Sequence, residues 1–407
     1  MMVVAAINTC TYGSTGKIML QIFGELCESD RGYVCVPNGR HNKAKYQGDH
    51  IWIGGRFSED SHIILGRLTG LQGCFSYFAT LRFLRKLRRV SPDVIHLHNL
   101  HNSYINLPLL FGFIKKHRIP VVWTLHDCWS FTGHCPYFTM SHCDRWMTGC
   151  HDCPSYRAYP AAVIDSSRLL WKLKKKWFTR VESLTLVTPS QWLADLTRRS
   201  YLAEYPVKVI NNGIDLSVFK PTESNFRERY GIPDNKKIIL GVAFDWERRK
   251  GLDVFTELAH RLPADDYQIV LVGTNEETDK ELPAGIISIH RTHNQQELAA
   301  VYTAADVLLN PTREDNYPTV NMEAIACGTP VLTFRTGGSP ESITPTTGAV
   351  VDDDIDTVER EVIRLCRDNS AMRGACLEAA RDFDMNKLFK EYVRLYRTLD
   401  ERTESNG

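Results

Sequence analysis

The amino-acid sequence predicts an α/β protein with two parallel-sheet domains. A chain of 407 residues is too long for one comfortable hydrophobic core. In both halves, short apolar segments typical of buried strands alternate with amphipathic segments typical of helices, which is the pattern of parallel sheets covered by helices. A polar stretch separates the halves. We therefore expect a first domain over residues 1–212, a linker over 213–236 and a second domain over 237–383.

Each predicted strand is a short run rich in Val, Ile and Leu, and each predicted helix repeats apolar residues at helical spacing. The strands expected in the first domain are 2–7, 93–98, 120–125, 184–187 and 207–210, and its helices are 16–27, 75–89, 103–117 and 191–200. The second domain has predicted strands 237–242, 267–272, 306–309 and 330–333 and helices 251–261, 295–303 and 357–367. A C-terminal helix with an apolar stripe is expected over 384–401, and a disordered tail over 402–407.

The net charge of +1 conceals two halves of opposite charge. Residues 1–212 contain 26 Lys and Arg against 14 Asp and Glu, whereas the remainder contains 23 against 34. The basic excess clusters in two helical segments, the face with Arg82, Arg85, Lys86 and Arg89 and the run WKLKKKWFTR over 171–180. These are either solvated helix faces or a surface that docks on anionic lipid. The acidic second half argues against nucleic acid as a partner.

No apolar run in the sequence reaches the ~18 residues that a membrane helix needs, and residues 1–7 are too short for a signal peptide. We therefore expect a cytoplasmic protein, which is peripheral at the inner face of the plasma membrane if its basic surface docks on anionic lipid.

The segment PTREDNYPTVNMEAIACGTPVLTFRTGG over 311–338 predicts a short helix with carboxylates at both ends. Pro318 suits a first helical position and Gly328 suits the stop, so we expect a helix over 318–327. Its free backbone donors at Thr319 and Val320 lie on the side of Asp315 and can hold a phosphate. With Asp315 before the helix and Glu323 within it, the pattern predicts a nucleotide-sugar site; the alternative is a capped core helix.

The same segment resembles the signature of the retaining glycosyltransferases of family 4, an acidic residue, seven others, a glutamate and then Ala-x-Ala-x-Gly-x-Pro-Val. Here it reads DNYPTVNMEAIACGTPV, and the glycine turn that approaches the donor in that family matches TGGSPE over 336–341. The family's first acid is usually Glu, whereas this chain has Asp315 there and Glu314 one residue earlier. The resemblance leaves open which of the two contacts the donor sugar.

The resemblance implies the B-type glycosyltransferase fold, in which two Rossmann-like domains face each other across a cleft and the C-terminal helix, here 384–401, returns to the first domain. It also implies an Arg and a Lys in the turn GVAFDWERRKGL over 241–252 that bind the donor diphosphate; we assign Arg249 and Lys250, with Arg248 in reserve. The donor-binding residues expected on this basis are Gly16, Arg249, Lys250, Glu314, Asn316, Tyr317, Thr319, Val320, Glu323, Gly337 and Gly338. The expected catalytic residues are His126, Asp315 and Glu323.

The first domain has polar turns where its predicted strands end. The turn NTCTYGSTGK over 8–17 departs from a phosphate-binding Walker loop, because Thr11 replaces its first glycine and Ile18 follows Lys17. After strand 120–125 comes LHDCW, and the family resemblance places His126 against the transferred sugar or the acceptor, with Asp127 orienting its ring. The residues expected on the acceptor side are Gly13, Ser14, His98 and Asp127.

Four cysteines with spacing C-x7-C-x6-C-x2-C follow His126 in an insertion over 128–153. They are Cys135, Cys143, Cys150 and Cys153. Four thiolates at such spacing predict a structural zinc site, and the alternative is reduced thiols packed in an ordered insertion. The insertion resembles a subgroup of family 4 associated with bacterial capsule and exopolysaccharide biosynthesis.

The function expected from these patterns is transfer of a sugar, with retention of configuration, from a nucleotide diphosphate sugar to a glycan or lipid-linked acceptor. Fixed positive charge stabilises the departing diphosphate, so no metal or other cofactor is expected in catalysis. The alternative is a catalytically inactive sugar-nucleotide-binding protein of the same fold.

Overall fold

The computed structural model describes residues 1–38, 42 and 48–404, and these form two compact units. Unit 1 contains Met1–Asn211 together with the C-terminal segment that begins at Lys387, and unit 2 contains Asn212–Asn386. Each unit is a Rossmann-like parallel sheet connected by helices, so the prediction of two such domains is confirmed. Residues 213–236, predicted as a linker, contribute Phe219, Phe226 and Ile232 to the core of unit 2.

Unit 1 is built on a seven-stranded parallel sheet in the order β3-β2-β1-β4-β5-β6-β7. Its strands are β1 (Val3–Ile7), β2 (Arg31–Asn38), β3 (His50–Gly55), β4 (Val94–Leu97), β5 (Val121–Thr124), β6 (Leu184–Thr188) and β7 (Val207–Val209). Its helices are α1 (Gly13–Gly24), α2 (Arg56–Thr69), α3 (Tyr77–Val90), α4 (Leu107–His117), α5 (Ser167–Phe178) and α6 (Gln191–Arg198). Because the strand order reverses between β1 and β4, the loops that follow these strands flank the usual ligand position of an open parallel sheet.

Unit 2 is a six-stranded parallel sheet in the order β10-β9-β8-β11-β12-β13. Its strands are β8 (Lys237–Val242), β9 (Tyr267–Val272), β10 (Ile287–Ile289), β11 (Val307–Asn310), β12 (Val331–Phe334) and β13 (Gly348–Val351). Its helices are α7 (Phe226–Arg229), α8 (Leu252–Arg261), α9 (Glu276–Glu281), α10 (Gln295–Ala304), α11 (Thr319–Ala326) and α12 (Ile355–Ala379). The strand order reverses between β8 and β11, and the loops after these strands carry the predicted donor motifs.

The last helix, α13 (Met385–Glu404), belongs to unit 1 from Lys387 onwards. The hydroxyl of Tyr396 lies 2.6 Å from Nδ1 of His96, and the Thr124 hydroxyl donates to the Tyr392 oxygen at 3.3 Å. Residues 402–404 continue this helix where a disordered tail was expected, and 405–407 lie outside the described residues.

Several helix ends differ from the prediction for local reasons. The helix expected over 103–117 begins at Leu107, because the side chain of Asn106 caps it by accepting from the Leu109 N–H at 3.1 Å. The helix expected from 357 begins at Ile355 after its cap Asp354 and continues to Ala379. The strands β2, β3 and β10 and the helices α2, α7 and α9 are absent from the prediction. Within the described part of the chain, none of the helices combines the length and the hydropathy needed to cross a bilayer.

Candidate functional site

The two predicted donor motifs of unit 2 meet at the carboxyl ends of β8 and β11. Lys250 follows β8, and its Nζ lies 2.6 Å from Oδ2 of Asp315, which follows β11. Both side chains are about one-fifth exposed, so the pair is accessible and partly shielded from water. A cation and a carboxylate that are 65 residues apart in sequence thus form one charged centre.

The backbone keeps these two loops in contact. The Arg313 N–H donates to the Arg249 carbonyl at 2.9 Å, and the Arg249 guanidinium reaches the Glu314 carbonyl at 3.4 Å. Gly251 has φ +78°, and a Cβ there would lie 2.4 Å from the Pro311 carbonyl oxygen. Only glycine permits that approach, which explains the Lys-Gly pair of the motif.

The helix α11 begins beside this charged centre with an open N-terminus. Pro318 is its N-cap and no described side chain caps it, whereas we predicted Pro318 as the first helical residue. The first residues of the helix, Thr319 and Val320, are half-buried. Uncapped N–H groups and the helix dipole favour an anion at this position.

The turn after β12 packs on the backbone of Asp315. Gly337 has φ +58°, and a Cβ there would lie 1.8 Å from the Asp315 carbonyl oxygen. The buried Asn321 fixes this turn, since its amide donates to the hydroxyls of Ser339 and Ser342 at 3.2 and 3.3 Å. The glycine turn, Asp315 and α11 therefore form one packed assembly, with Gly338 buried in it.

The remaining predicted donor residues differ in exposure. Glu323 is half-buried, and its Oε2 accepts from the Tyr302 hydroxyl at 2.9 Å. Burial and the neighbouring Glu323 raise the pKa of Tyr302, so this hydroxyl remains a donor. Asn316 and Tyr317 are buried, which leaves their side chains less open to a ligand than the prediction requires.

One arginine that the sequence analysis missed holds this region together. The guanidinium of Arg313 binds Asp253 of α8 at 2.7 Å and Asp353 at 2.6 Å. Asp353 belongs to the acidic run over 352–356, where Asp352 pairs with Arg335 and Asp356 with Arg261. These carboxylates therefore serve in ion pairs with arginines. The run of three aspartates is the sequence signal that could have pointed to a half-buried arginine partner.

Unit 1 places three histidines at the carboxyl ends of β4 and β5. His98 Nδ1 lies 3.0 Å from His126 Nε2, and the two rings are stacked. His96 hydrogen-bonds the Thr124 hydroxyl at 2.8 Å and is fully buried. Burial lowers the pKa of His96 to about 3 and that of His126 to about 4, so both are neutral at neutral pH.

The residue that orients His126 differs from the prediction. Asp127 was expected to hold the His126 ring, but its Oδ2 binds His101 at 2.9 Å and its Oδ1 accepts from the Trp129 N–H at 2.8 Å. Burial raises the pKa of Asp127, but His101 and these hydrogen bonds together bring it below the usual value. His98, which is buried and was expected on the acceptor side, is the ring that contacts His126.

The β1–α1 turn opens to solvent through Gly13 and Ser14. Gly13 has φ +68° with open space around its Cβ position, and both residues are exposed. Gly16 is buried within α1, where a Cβ would lie 2.6 Å from the Thr11 carbonyl carbon. Its predicted role in donor binding therefore has a packing explanation. The helix begins at Gly13 and not at residue 16.

The four cysteines of the insertion line one small cavity in unit 1. The Cys135 thiol hydrogen-bonds Cys153, and Cys150 Sγ accepts from the Gly133 N–H at 3.0 Å. Across residues 1–38, 42 and 48–404, no three His, Cys, Asp or Glu side chains are arranged to hold a metal ion. The side chains as placed do not form a zinc centre, and the zinc prediction rests on the spacing alone.

Two glycosyltransferase family models match the chain, one in each half. "Glycosyltransferase Family 4" matches residues 53–218, and "Glycosyl transferases group 1" matches residues 236–368. Among curated proteins, the colanic acid biosynthesis glycosyl transferase WcaC of Escherichia coli is 27% identical over 77% of this chain and 78% of its own length. A D-inositol 3-phosphate glycosyltransferase of Corynebacterium jeikeium is 31% identical over 39% of this chain and 43% of that protein.

Solved structures share the fold at low identity. Sucrose-phosphate synthase from Thermosynechococcus elongatus has a TM-score of 0.72 at 16% identity, covering 98% of this chain and 99% of that one. Anabaena Alr3699/HepE in complex with UDP has a TM-score of 0.71 at 14% identity, covering 98% and 100%. The two parallel-sheet units and the family matches together identify the chain as a glycosyltransferase of the B-type fold.

Proposed function

We propose that the chain transfers a sugar from a nucleotide diphosphate sugar to a glycan or lipid-linked acceptor in the synthesis of a bacterial surface polysaccharide, capsule or exopolysaccharide. The observation that carries this proposal is the pairing of Lys250 with Asp315 beside the open N-terminus of α11. The similarity to WcaC supports the polysaccharide role, and the UDP complex of HepE supports a nucleotide-linked donor.

In this proposal unit 2 binds the donor. The diphosphate lies at Arg249, Lys250 and the N–H groups of Thr319 and Val320, because these groups offer positive charge and free donors at one sheet edge. A diphosphate at Lys250 competes with Asp315 for that cation and frees the carboxylate to accept from a hydroxyl of the donor sugar. Glu323, already held by Tyr302, accepts from the ribose diol.

The transfer itself is proposed to proceed with retained configuration. The bond between the anomeric carbon and the diphosphate oxygen breaks, the acceptor oxygen bonds to the same face, and a phosphate oxygen takes the acceptor's proton. The diphosphate leaves with the electron pair of the broken bond, and Lys250 and the helix dipole stabilise its charge. Neutral His126 forms a hydrogen bond with the transferred sugar or with the acceptor, as donor or as acceptor of that bond.

We propose that catalysis uses no divalent cation. The pairing of Asp352, Asp353 and Asp356 with arginines supports this, since the acidic run already has cationic partners. Transfer that stops with EDTA while the protein stays folded would contradict metal-free catalysis.

The structural zinc in the cysteine insertion is a separate proposal. Metal analysis of the purified protein, with Cys150→Ser/Cys153→Ser as control, tests it.

Replacing Lys250 tests the donor site. Lys250→Met should weaken binding of UDP or GDP, whichever stabilises the wild-type protein, by about tenfold or more and lower transfer by roughly 10²–10³, because the charge that balances the leaving diphosphate is lost. Thermal-shift titration and transfer of labelled donor measure the two effects.

The control is Lys280→Met, which removes an exposed lysine of α9 paired with Glu277 in the same unit. It should leave both quantities unchanged. Unchanged nucleotide binding in Lys250→Met would contradict the site assignment. A wild-type protein that binds the nucleotide sugar and transfers nothing to any acceptor would identify the inactive binding protein instead.

A further inference from the structure

The helices α2 and α3 of unit 1 line a groove of about 910 Å³. The apolar part of its lining, called the apolar wall below, includes Phe57 and Leu65 of α2 and Tyr77 and Phe78 of the first turn of α3. The basic part, called the basic wall, follows these rings along α3 and includes Arg82, Arg85, Lys86 and Arg89. The donor site proposed above does not use this groove.

The apolar wall is unusually exposed for a folded protein. Phe57 is 88% exposed and Phe78 is 73% exposed. Val163 and Ile164, which are also exposed, lie beside the end of α2, where the Val163 N–H donates to the Arg67 carbonyl at 2.8 Å. A contiguous apolar surface beside polar residues marks a binding site for an apolar partner.

The positive charges of the basic wall are not neutralised by ion pairs with carboxylates of the described residues. Among the described residues, no carboxylate lies within 4.0 Å of the side-chain nitrogens of the four basic residues on this wall. The acidic residues on the facing helix are Glu59 and Asp60, and Asp60 pairs with Arg56 at 3.8 Å. The groove therefore offers about four positive charges. A phosphodiester has a single negative charge and would leave most of them unbalanced, whereas a diphosphate has more negative charge and suits the groove.

The groove and the predicted acceptor side lie at the same edge of the unit 1 sheet. Gly54 and Gly55, which line the groove, end β3, and the turn with Gly13 and Ser14 follows β1 in the same parallel sheet. The carboxyl ends of parallel strands share one edge of the sheet, so an acceptor whose lipid end occupies the groove can extend its glycan end along this edge towards the β1–α1 turn.

We propose that the α2–α3 groove binds the lipid end of the acceptor, a long hydrocarbon chain that carries a diphosphate. The chain lies on the apolar wall and the diphosphate on the basic wall. This inference rests on the proposed function, because it assigns the lipid-linked class of acceptor to that reaction. The proposal concerns only one of the two basic clusters predicted from the sequence, the one on α3. The other cluster, on α5, lacks an aromatic wall of this kind, because its Trp171 is buried.

Farnesyl diphosphate is the probe, because it joins a short isoprenoid chain to a diphosphate in one soluble molecule. Its binding to the full chain is followed by the change in total tryptophan fluorescence, to which Trp52 in the groove contributes. We expect it to bind at least about tenfold more tightly than inorganic pyrophosphate or farnesol, because each of these fills only one wall. Binding no tighter than either fragment would overturn the proposal.

Two double variants test the walls separately. Phe57→Ser/Phe78→Ser removes two exposed rings, and Arg82→Gln/Arg85→Gln removes two exposed charges, so neither is expected to unfold the protein. Each should weaken farnesyl diphosphate binding by about tenfold or more. The matched control Lys172→Gln/Lys176→Gln removes two exposed charges from α5 and should leave binding unchanged.

The other occupants are distinguished by the same variants. Loss of binding to phosphatidylglycerol vesicles with unchanged farnesyl diphosphate binding would overturn the proposal in favour of a bilayer surface. Loss of a dimer with unchanged probe binding would overturn it in favour of a second copy of this chain. UDP binding is measured in parallel, so that failure of the donor site and failure of the groove are separate results.

Discussion

At the scale of single residues, the contact between His98 and His126 assigns a positioning role to a buried ring. His98 is 1% exposed and cannot meet a substrate directly, but its Nδ1 lies 3.0 Å from His126 Nε2. One of the two nitrogens must be the donor, so the protonation of His98 decides which nitrogen of His126 carries its proton.

Replacing His98 by Phe should therefore lower kcat about tenfold while KM for the donor changes little, since the ring of His126 loses its partner and the proposed donor contacts stay intact. Steady-state kinetics across pH measures this. The control is Tyr396→Phe, which removes a hydrogen bond to His96 in the same cluster. That variant should cost about 1 kcal/mol of stability and leave kcat unchanged. Equal losses of kcat in both variants would mean that His98 only supports the fold.

The sequence pointed to Lys250 and Asp315, which the structure brings together at the ends of β8 and β11, because Lys-Gly and the acidic pair occupy recognisable positions at strand ends. It did not identify the partners that hold them. Arg313 pairs with Asp353, 40 positions away, and the Tyr302 hydroxyl donates to Glu323, 21 positions away. Spacing in a single sequence does not reveal such contacts, because they depend on the fold. The orientation of His126 was misassigned for the same reason, since Asp127 is its neighbour in sequence and His98 is its neighbour in space.

At the scale of elements, the glycine turn after β12 fixes where Asp315 lies. Gly337→Ala would place a methyl group 1.8 Å from the Asp315 carbonyl oxygen at φ +58°, so the turn and the Asp315 loop must separate. We expect nucleotide binding at least about tenfold weaker, measured by thermal-shift titration with UDP or GDP.

Gly285→Ala is the matched control. Gly285 in the same unit has φ +97° and no atom within 4 Å of its Cβ position, so this variant carries backbone strain without the clash. It should lower stability and leave nucleotide affinity unchanged. Equal affinities in the two variants would show that the turn does not position the donor site.

The elements that were predicted and those that were missed differ in their burial. The strands β4, β5, β11 and β12 are buried at every residue and read as apolar runs. The strand β2 carries Arg31 and Pro37, and β3 lies at the edge of the sheet, so neither has a continuous run. Helix α2 was missed because its exposed Ile64 and Leu68 break the polar face that an amphipathic helix should show.

At the scale of the whole molecule, the buried histidines make unit 1 sensitive to acid. Burial lowers the pKa of His62 and His96 to about 3 and that of His126 and His134 to about 4. The unfolded chain takes up these protons near pH 6.5 and the folded unit does not, so the stability that they contribute is present above that pH. It is lost as pH falls from about 6.5 to about 4 for His126 and His134 and to about 3 for His62 and His96.

Each of these histidines weakens unit 1 by up to about 1.4 kcal/mol per pH unit in this window. Urea unfolding between pH 7 and pH 5, with Trp fluorescence to follow unit 1, measures the effect. Seven of the eight tryptophans lie in unit 1, and Trp246 lies in unit 2. A transition of unit 1 that does not move with pH would contradict the burial of these rings.

The return of α13 to unit 1 has a consequence for synthesis on the ribosome. The hydrogen bond between His96 and Tyr396 joins residues 300 positions apart, and all of unit 2 lies between them. The sheet of unit 1 is therefore synthesised first, and its histidine cluster lacks the contacts of α13 until all of unit 2 has been translated. Nascent chains stalled before residue 385 should present that gap to chaperones even when their first sheet has formed.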